Sequence, residues 1–540
     1  MDTIGDYYES HMRGDNNFSE IYHFYRYLPR SFLEALEQVN QMPKQGVDLV
    51  KIANLKTILI EYHKKLGLLT PKVLENINLI QEGVVLGGQQ TTVFGGSGII
   101  GNKIATISAF SEMSRETDNY LVPIFLVNTH DSIQPEITSI HIPNNQSSIS
   151  KPIVLEDSIE GVIVNRIKTD NYVWLEENLQ IIKNIFSEFK NSVDVNSQKL
   201  YMERMEHIIT YLRETYRNST GMGEWITLIW GIQANILNDW GVIFFPSSHP
   251  EIRKLTLSGY DPFLKYRKEY LDEFNKTTEK ILGLGLKPTT AIKEQDYAPF
   301  FYECPNDGYR VELSCTEDEN NLHFNGKCPL NKEEYNFTIN KSKINLDEHC
   351  LNLIPRLDTN QALLQSIIPV YIRISGPGEI NYNAQVIPAV TKIGIQFPMF
   401  VKYTRILYNT PWIENITREL EPQSLSLFSD DFFKILGSVA KARRKKDSEN
   451  LRVATNKLTN RIKDKMKEVI TVSDKSISPI EKYKSWQFGM YDSHHHWQEV
   501  SWPWFVMATI TGLGDYLASY KRHYSSETPI GGIGYINTRL

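Results

Sequence analysis

Four apolar runs in this chain each end in residues of types that bind anions or carry protons. Val84, Val85 and Leu86 lead into Gly88, Gln89 and Gln90, and residues 121–127 lead into His130 and Asp131. Residues 241–245 end at Ser247, Ser248 and His249. Residues 367–374 run into Gly376, Pro377, Gly378 and Glu379. A histidine beside a carboxylate is suited to general acid–base catalysis. Each group also has a purely structural reading. Gln89 and Gln90 can satisfy loop amides, and Asp131, Ser247 or Ser248 can cap a helix. Glu379 can favour a helix N-terminus electrostatically. Neither serine sits in a G-x-S-x-G elbow, so acyl-enzyme chemistry has no support.

The first of these groups opens a glycine-rich stretch, with six glycines between Gly87 and Gly101. Ile100, Ile104, Ile107 and Ser111 then repeat at helical spacing. The order is strand, loop, helix, and a helix opening behind such a loop presents N–H groups to an anion. Lys103 adds a full charge one turn in. Gly96-Ser-Gly98-Ile-Ile-Gly101 matches the dinucleotide fingerprint G-x-G-x-x-G. That fingerprint follows its strand directly and needs an acid at the end of the second strand. Here a long loop intervenes and Asn128 and Thr129 stand at that end, so nicotinamide binding is not expected. A packing loop with no ligand is the other alternative.

These groups need a scaffold that brings them together. Residues 1–80 read as helical and suited to covering one face of a sheet beginning at Val84, and residues 174–238 as helical with a break at 218–223. Residues 142–153 read as a surface loop. Strands separated by helices imply crossovers and a parallel sheet, in which ligands bind beyond the carboxyl ends of the strands. That topology places Gln89 and Gln90, His130 and Asp131, residues 247–249 and Glu379 on one edge.

Residues 301–350 have the rhythm of a zinc ribbon, with Cys304-Pro and Cys328-Pro each at a knuckle. Asp307 and Asn331 stand where a working ribbon needs its second thiolates. Cys315 and His323 fit no standard spacing, so the expectation is a ribbon without metal, and Cys350 is expected to be buried. The tail from Ser424 is charged, and Leu451, Leu458, Ile462 and Met466 make a narrow stripe suited to a coiled coil or a helical hairpin. The run Arg443 to Lys446 reads as a solvated face. His494, His495 and His496 cannot all face one ion on a regular element, and Trp497, Trp502 and Trp504 are expected to pack the tail onto the body.

Composition narrows the class. A chain of 540 residues with 41% hydrophobic and 23% charged residues fits a soluble globular protein of two or three domains. The boundaries fall at 1–300, 301–350, 351–423 and 424–540. A net charge of −6 gives no footprint for nucleic acid. Four cysteines suggest a reducing compartment, the polar, acidic amino terminus is no secretory signal, and no apolar run is long enough to span a membrane. The expectation is a cytoplasmic protein.

The residues from Gly87 to Lys103, including Gly88-Gln89-Gln90, resemble without gaps the opening motif of the bacillithiol-biosynthesis cysteine-adding enzyme family. Three further stretches are similar and fall in family order: His130-Asp131, residues 239–246 (DWGVIFFP), and Ser375 to Glu379 followed by Tyr382 and Gln385. The chain departs from the family at Gly96 to Ile99, usually Gly-Pro-Leu-Tyr, at Asn102, usually histidine, and at Asn128 and Thr129, usually acidic. The resemblance implies an α/β protein with a Rossmann-like parallel core, helical connecting insertions, a small ribbon-like β insertion and a C-terminal helical coiled coil that makes a homodimer. It also implies a ligase joining cysteine to an amino sugar conjugate, glucosaminyl malate. Amide formation in water is uphill, so ATP or another nucleotide is expected. On this resemblance, Gly88, Gln89, Gln90, Gly96, Gly98, Lys103, Ser248, Gly376, Gly378 and Tyr382 bind substrate or nucleotide. His130 or Asp131 serves as base for the attacking amine, and Glu379 binds an ammonium or hydroxyl groups. Two alternatives stand beside it: a related ligase or nucleotidyltransferase for another amino substrate, and a non-catalytic dimeric scaffold.

Overall fold

The computed structural model describes residues 3–14, 19–142, 152–155, 158–409, 430–445, 447–472 and 498–538. Its core begins with helices α1 (Leu49–Lys65) and α2 (Pro71–Asn78). Asp48 accepts from the Val50 and Lys51 N–H groups to start α1. Thr70 caps α2, whose first position is Pro71. Strand β1 (Val84–Gln90), helix α3 (Gly98–Ser114), and strands β2 (Val122–Asn128) and β3 (Ile243–Pro246) follow.

Alternation along β1 explains the layering. Val84 and Leu86 face Leu55 and Leu59 of α1 and Val73 and Ile77 of α2, while Val85 faces the opposite cluster with Ile104 and Ile107 of α3. All are fully buried, and each such side chain contributes roughly 1.5–3 kcal/mol. Helices therefore cover both faces, as parallel sheets require.

After the helical insertion, residues 297–355 form a second sheet of β4 (Tyr297–Glu303), β5 (Arg310–Glu317), β6 (Asn321–Lys327), β7 (Glu334–Asn340) and β8 (Leu353–Pro355). It is antiparallel, in the order β8-β4-β5-β6-β7. The chain then returns to the first sheet with β9 (Val370–Ser375), helix α4 (Pro377–Lys392) and β10 (Met399–Lys402). The first sheet is parallel throughout, in the order β10-β9-β1-β2-β3. Strand order reverses between β1 and β9, which is the switch point where such sheets open a crevice. The edge strand β10 has no counterpart in the sequence reading.

Beyond β11 (Arg405–Asn409), helices α5 (Asp430–Arg444) and α6 (Ser448–Val472) pack on each other as a hairpin, with Ala442 and Ala454 buried. Leu451 and Leu458 of the stripe are half-buried, and the Met466 side chain lies outside the described residues. Helices α7 (Trp504–Thr511) and α8 (Leu513–Lys521) pack against the core, and β12 (Ile533–Asn537) pairs in parallel with β11. Trp502 and Trp504 are buried, as expected of this tail, whereas His494 to His496 and Trp497 lie outside the described residues. Among the described residues no helix is long and apolar enough to cross a membrane. Most of residues 142–153 also lie outside them, but Pro152–Val154 pairs antiparallel with Ser139–His141.

Candidate functional site

A cleft of about 830 Å³ lies at the carboxyl ends of β1, β2 and β9. Gly88, Gln89 and Gln90 enter it from β1, His130 and Asp131 from the end of β2, and Gly376, Gly378, Glu379 and Tyr382 from the start of α4. Lys103 reaches in from α3. Phe301, Arg310 and Arg356 close the far wall from the antiparallel sheet and the turn after it. The Arg310 and Arg356 guanidinium groups lie 4.6 and 4.3 Å from the centre of the Phe301 ring, so one ring holds two cations. In all, six cationic side chains line the cleft (Lys103, Lys293, Arg310, Arg356, Arg373, Arg405) against three acidic ones (Asp131, Asp358, Glu379).

Lys103 is buried, and its ammonium donates to Glu379 at 2.5 Å and to the Gly88 carbonyl and Gln89 Oε1 at 3.0 Å each. Glu379 also accepts from the N-cap Gly376 N–H at 2.9 Å, the half of a capping box that a glycine allows, and from Arg373 at 3.3 Å. Burial alone would push the Glu379 carboxyl up, but Lys103 and Arg373 more than offset it, and the group is held below the ordinary carboxylate range. Burial lowers the Lys103 pKa, opposed by Glu379. Glu379 therefore sits at the N-terminus of α4, as its structural reading had it, and its charge is taken up by two cations of the chain itself.

The other two carboxylates diverge. Asp358 accepts from Tyr270 and, at 2.6 Å, from Tyr297, and pairs with Lys293 at 2.8 Å. Those partners outweigh burial and keep it low. Asp131 accepts from Asn128 Nδ2 at 2.9 Å and from Gln90, with Arg310 no nearer than 3.9 Å. Burial prevails, and its pKa is raised. Beside it, His130 is buried with both ring nitrogens lacking hydrogen-bond partners, and burial and the Arg253 charge hold it neutral. Of the three cleft carboxylates, Asp131 alone has its pKa raised.

Three sequence candidates lie elsewhere. Gly96 and Gly98 face the C-terminal segment. Gly98 N–H donates to the Trp502 carbonyl at 3.2 Å, Trp504 N–H donates to Gly96 O at 3.2 Å, and Trp504 Nε1 donates to Phe94 O at 2.8 Å. A Cβ on Gly98 would stand 2.7 Å from the Tyr520 hydroxyl, so glycine serves close helix packing there. Ser248 lines a separate pocket of about 220 Å³, where its hydroxyl meets Thr129 Oγ1 at 2.5 Å. Arg310, Arg356, Lys293, Arg373 and Tyr403 are cleft residues that the sequence reading did not name. Arg373 carried a signal, as the one charged residue within the buried strand VYIRIS.

The thiols and carboxylate of Cys304, Cys328 and Asp307 lie within 4.8 Å of one another. Cys328 donates to Asp307 at 3.2 Å, while Asn331 Nδ2 and the Tyr335 hydroxyl donate to Cys304 at 3.1 and 3.0 Å. The residues standing for the two missing thiolates thus bond diagonally across the knuckles. Cys315 lies elsewhere, near Arg267, and His323 bonds Asp318 at 2.9 Å. Cys350 is only partly buried.

The family model of the bacillithiol biosynthesis BshC N-terminal Rossmann-like domain matches residues 3–403. A relative from Staphylococcus epidermidis, named "Putative cysteine ligase BshC", is 24% identical over 73% of this chain and 67% of its own length. One of the same name from Desulforamulus reducens is 23% identical over 84% of this chain and 78% of its own.

Proposed function

Since the chain belongs to the BshC family of bacillithiol biosynthesis, we propose that it is an amide-forming ligase joining the carboxyl group of cysteine to the amine of glucosaminyl malate. The observation that carries this reading is the cleft itself: an excess of cations for an anionic substrate, beside one carboxylate of raised pKa. The amine nitrogen attacks the activated cysteine carboxyl carbon, the C–N bond forms, the bond from that carbon to its leaving oxygen breaks, and the amine proton passes to Asp131. His130, held neutral, orients the amine or a hydroxyl by hydrogen bonding. Arg373, anchored through one arm by Glu379, binds an oxyanion, and Lys103 adds its positive charge beside it. The donor set fits a polyanion, and ATP or another nucleotide supplies the activation of the carboxyl group.

A second reading, a ligase for another amino substrate, draws on Asn128. It lines the cleft and donates to Asp131, where the family usually has an acid. Offering the purified protein cysteine, ATP and a panel of amino sugars and amino acids separates the two: amide product from glucosaminyl malate alone supports the first, product from another acceptor alone rejects it.

A further inference from the structure

Among the buried polar atoms of the cleft without a hydrogen-bond partner are Arg373 Nη1 and the Tyr403 hydroxyl. Arg373 is 9% exposed and Tyr403 fully buried. Leaving such groups unsatisfied costs about 1–3 kcal/mol each, more for a charge, so their persistence calls for a partner. Both line the cleft beside the start of α4, where Gly376, Pro377, Gly378 and Glu379 lie. A Cβ built on Gly376 would stand 4.0 Å from the Tyr403 hydroxyl and 3.8 Å from Glu379 Oε2. One built on Gly378 would meet nothing within 4 Å, so space is open there. The other arm of Arg373 is fixed by Glu379 at 3.3 Å, and that anchor leaves Nη1 available.

The local charge favours an anion. Glu379 is neutralised by Lys103 and Arg373, and Arg405 lines the same cleft. Glu499, whose charge acts on Tyr403, is pushed up to about 8 by burial, which weakens the negative charge there at neutral pH. The N-terminus of α4, a helix of 16 residues, adds its dipole.

We propose that Arg373, Tyr403 and the first turn of α4 form an oxyanion subsite that takes a carboxylate or phosphate group of a substrate. It deepens the ligase reading and rests on it for the identity of the ligand. Two sources fit the same chemistry, a carboxylate of the amino sugar conjugate and a phosphate of the nucleotide.

Thermal-shift titrations with L-malate and with inorganic phosphate, at millimolar concentrations, test the subsite without any turnover. The wild-type protein is stabilised by at least one of them, and which one identifies the source. Tyr403→Phe raises the half-saturating concentration of that anion about tenfold or more, the loss of a hydrogen bond to a charged group. Its melting temperature without ligand is unchanged or higher, because an unsatisfied hydroxyl has gone. Arg373→Lys keeps a charge beside Glu379 but loses the second arm, and weakens the same anion at least as much. Equal titrations for wild type and Tyr403→Phe, or no response of the wild type to either anion, overturn the subsite. Anion binding through Tyr403 in a protein that makes no amide rejects the ligase reading alone. Full amide-forming kinetics in Tyr403→Phe rejects the subsite alone.

Discussion

Asp131 and Glu379 look equivalent in sequence, each an acid just past a strand, and the structure separates them. Glu379 is consumed by Lys103, Arg373 and the Gly376 N–H, whereas Asp131 has only amide partners at hydrogen-bond distance. Asp131→Asn is therefore expected to lower amide-forming turnover on the order of 10² or more, with little change in melting temperature. Glu379→Gln leaves two buried cations short of their counter-charge, and breaking such a pair costs about 3–5 kcal/mol. Denaturant unfolding of both variants beside steady-state kinetics checks the division; a Glu379→Gln protein of native stability but no activity would return Glu379 to the chemistry. His130 and Asp131 were legible because they follow a strand directly. Arg310 and Arg356 were not, because their place opposite that edge depends on how a second sheet docks.

Among the elements, the strands that carry the cleft could be read from apolar runs between helices. The short β10 could not, nor could the fate of the glycine-rich loop, whose backbone groups are taken by tryptophans roughly 400 residues away in sequence. The same C-terminal segment carries Glu499, which accepts from Asn102 at 2.5 Å and from the Ile406 N–H at 3.3 Å. Burial raises its pKa from an ordinary 4.5 to about 8, so between those values the native state holds a proton that the unfolded chain has released. The stability it brings is fully present below about 4.5 and is lost as pH rises through about 8. Replacing it by glutamine, which mimics the protonated acid, is expected to flatten the fall of melting temperature between pH 5 and 8. An unchanged slope would mean that Glu499 is ionised in the fold.

The ribbon-like sheet makes the complementary case. Its two knuckles are joined by hydrogen bonds from Cys328, Asn331 and Tyr335. We expect protein purified without chelators to contain no stoichiometric zinc. Zinc at one equivalent per chain, lost on Cys304→Ser, would contradict this.

At the scale of the whole molecule, two sheets and a returning C-terminal tail enclose one cation-rich cleft in a chain whose net charge is −6. That contrast concentrates attraction for anions where the strand order reverses. The parallel core and its binding edge followed from the order of strands and helices, while the cleft's charge came from residues of segments scattered between Lys103 and Arg405 and emerged only on folding. The central claim, that this cleft forms an amide between cysteine and an anionic amino sugar conjugate, is tested most directly by mass spectrometry. Purified protein is incubated with cysteine, glucosaminyl malate and ATP. The account predicts a product with the summed mass of the two substrates less one water, requiring all three reactants and reduced on the order of 100-fold or more by Asp131→Asn. Absence of that product from protein that is folded and stabilised by its substrates would contradict it.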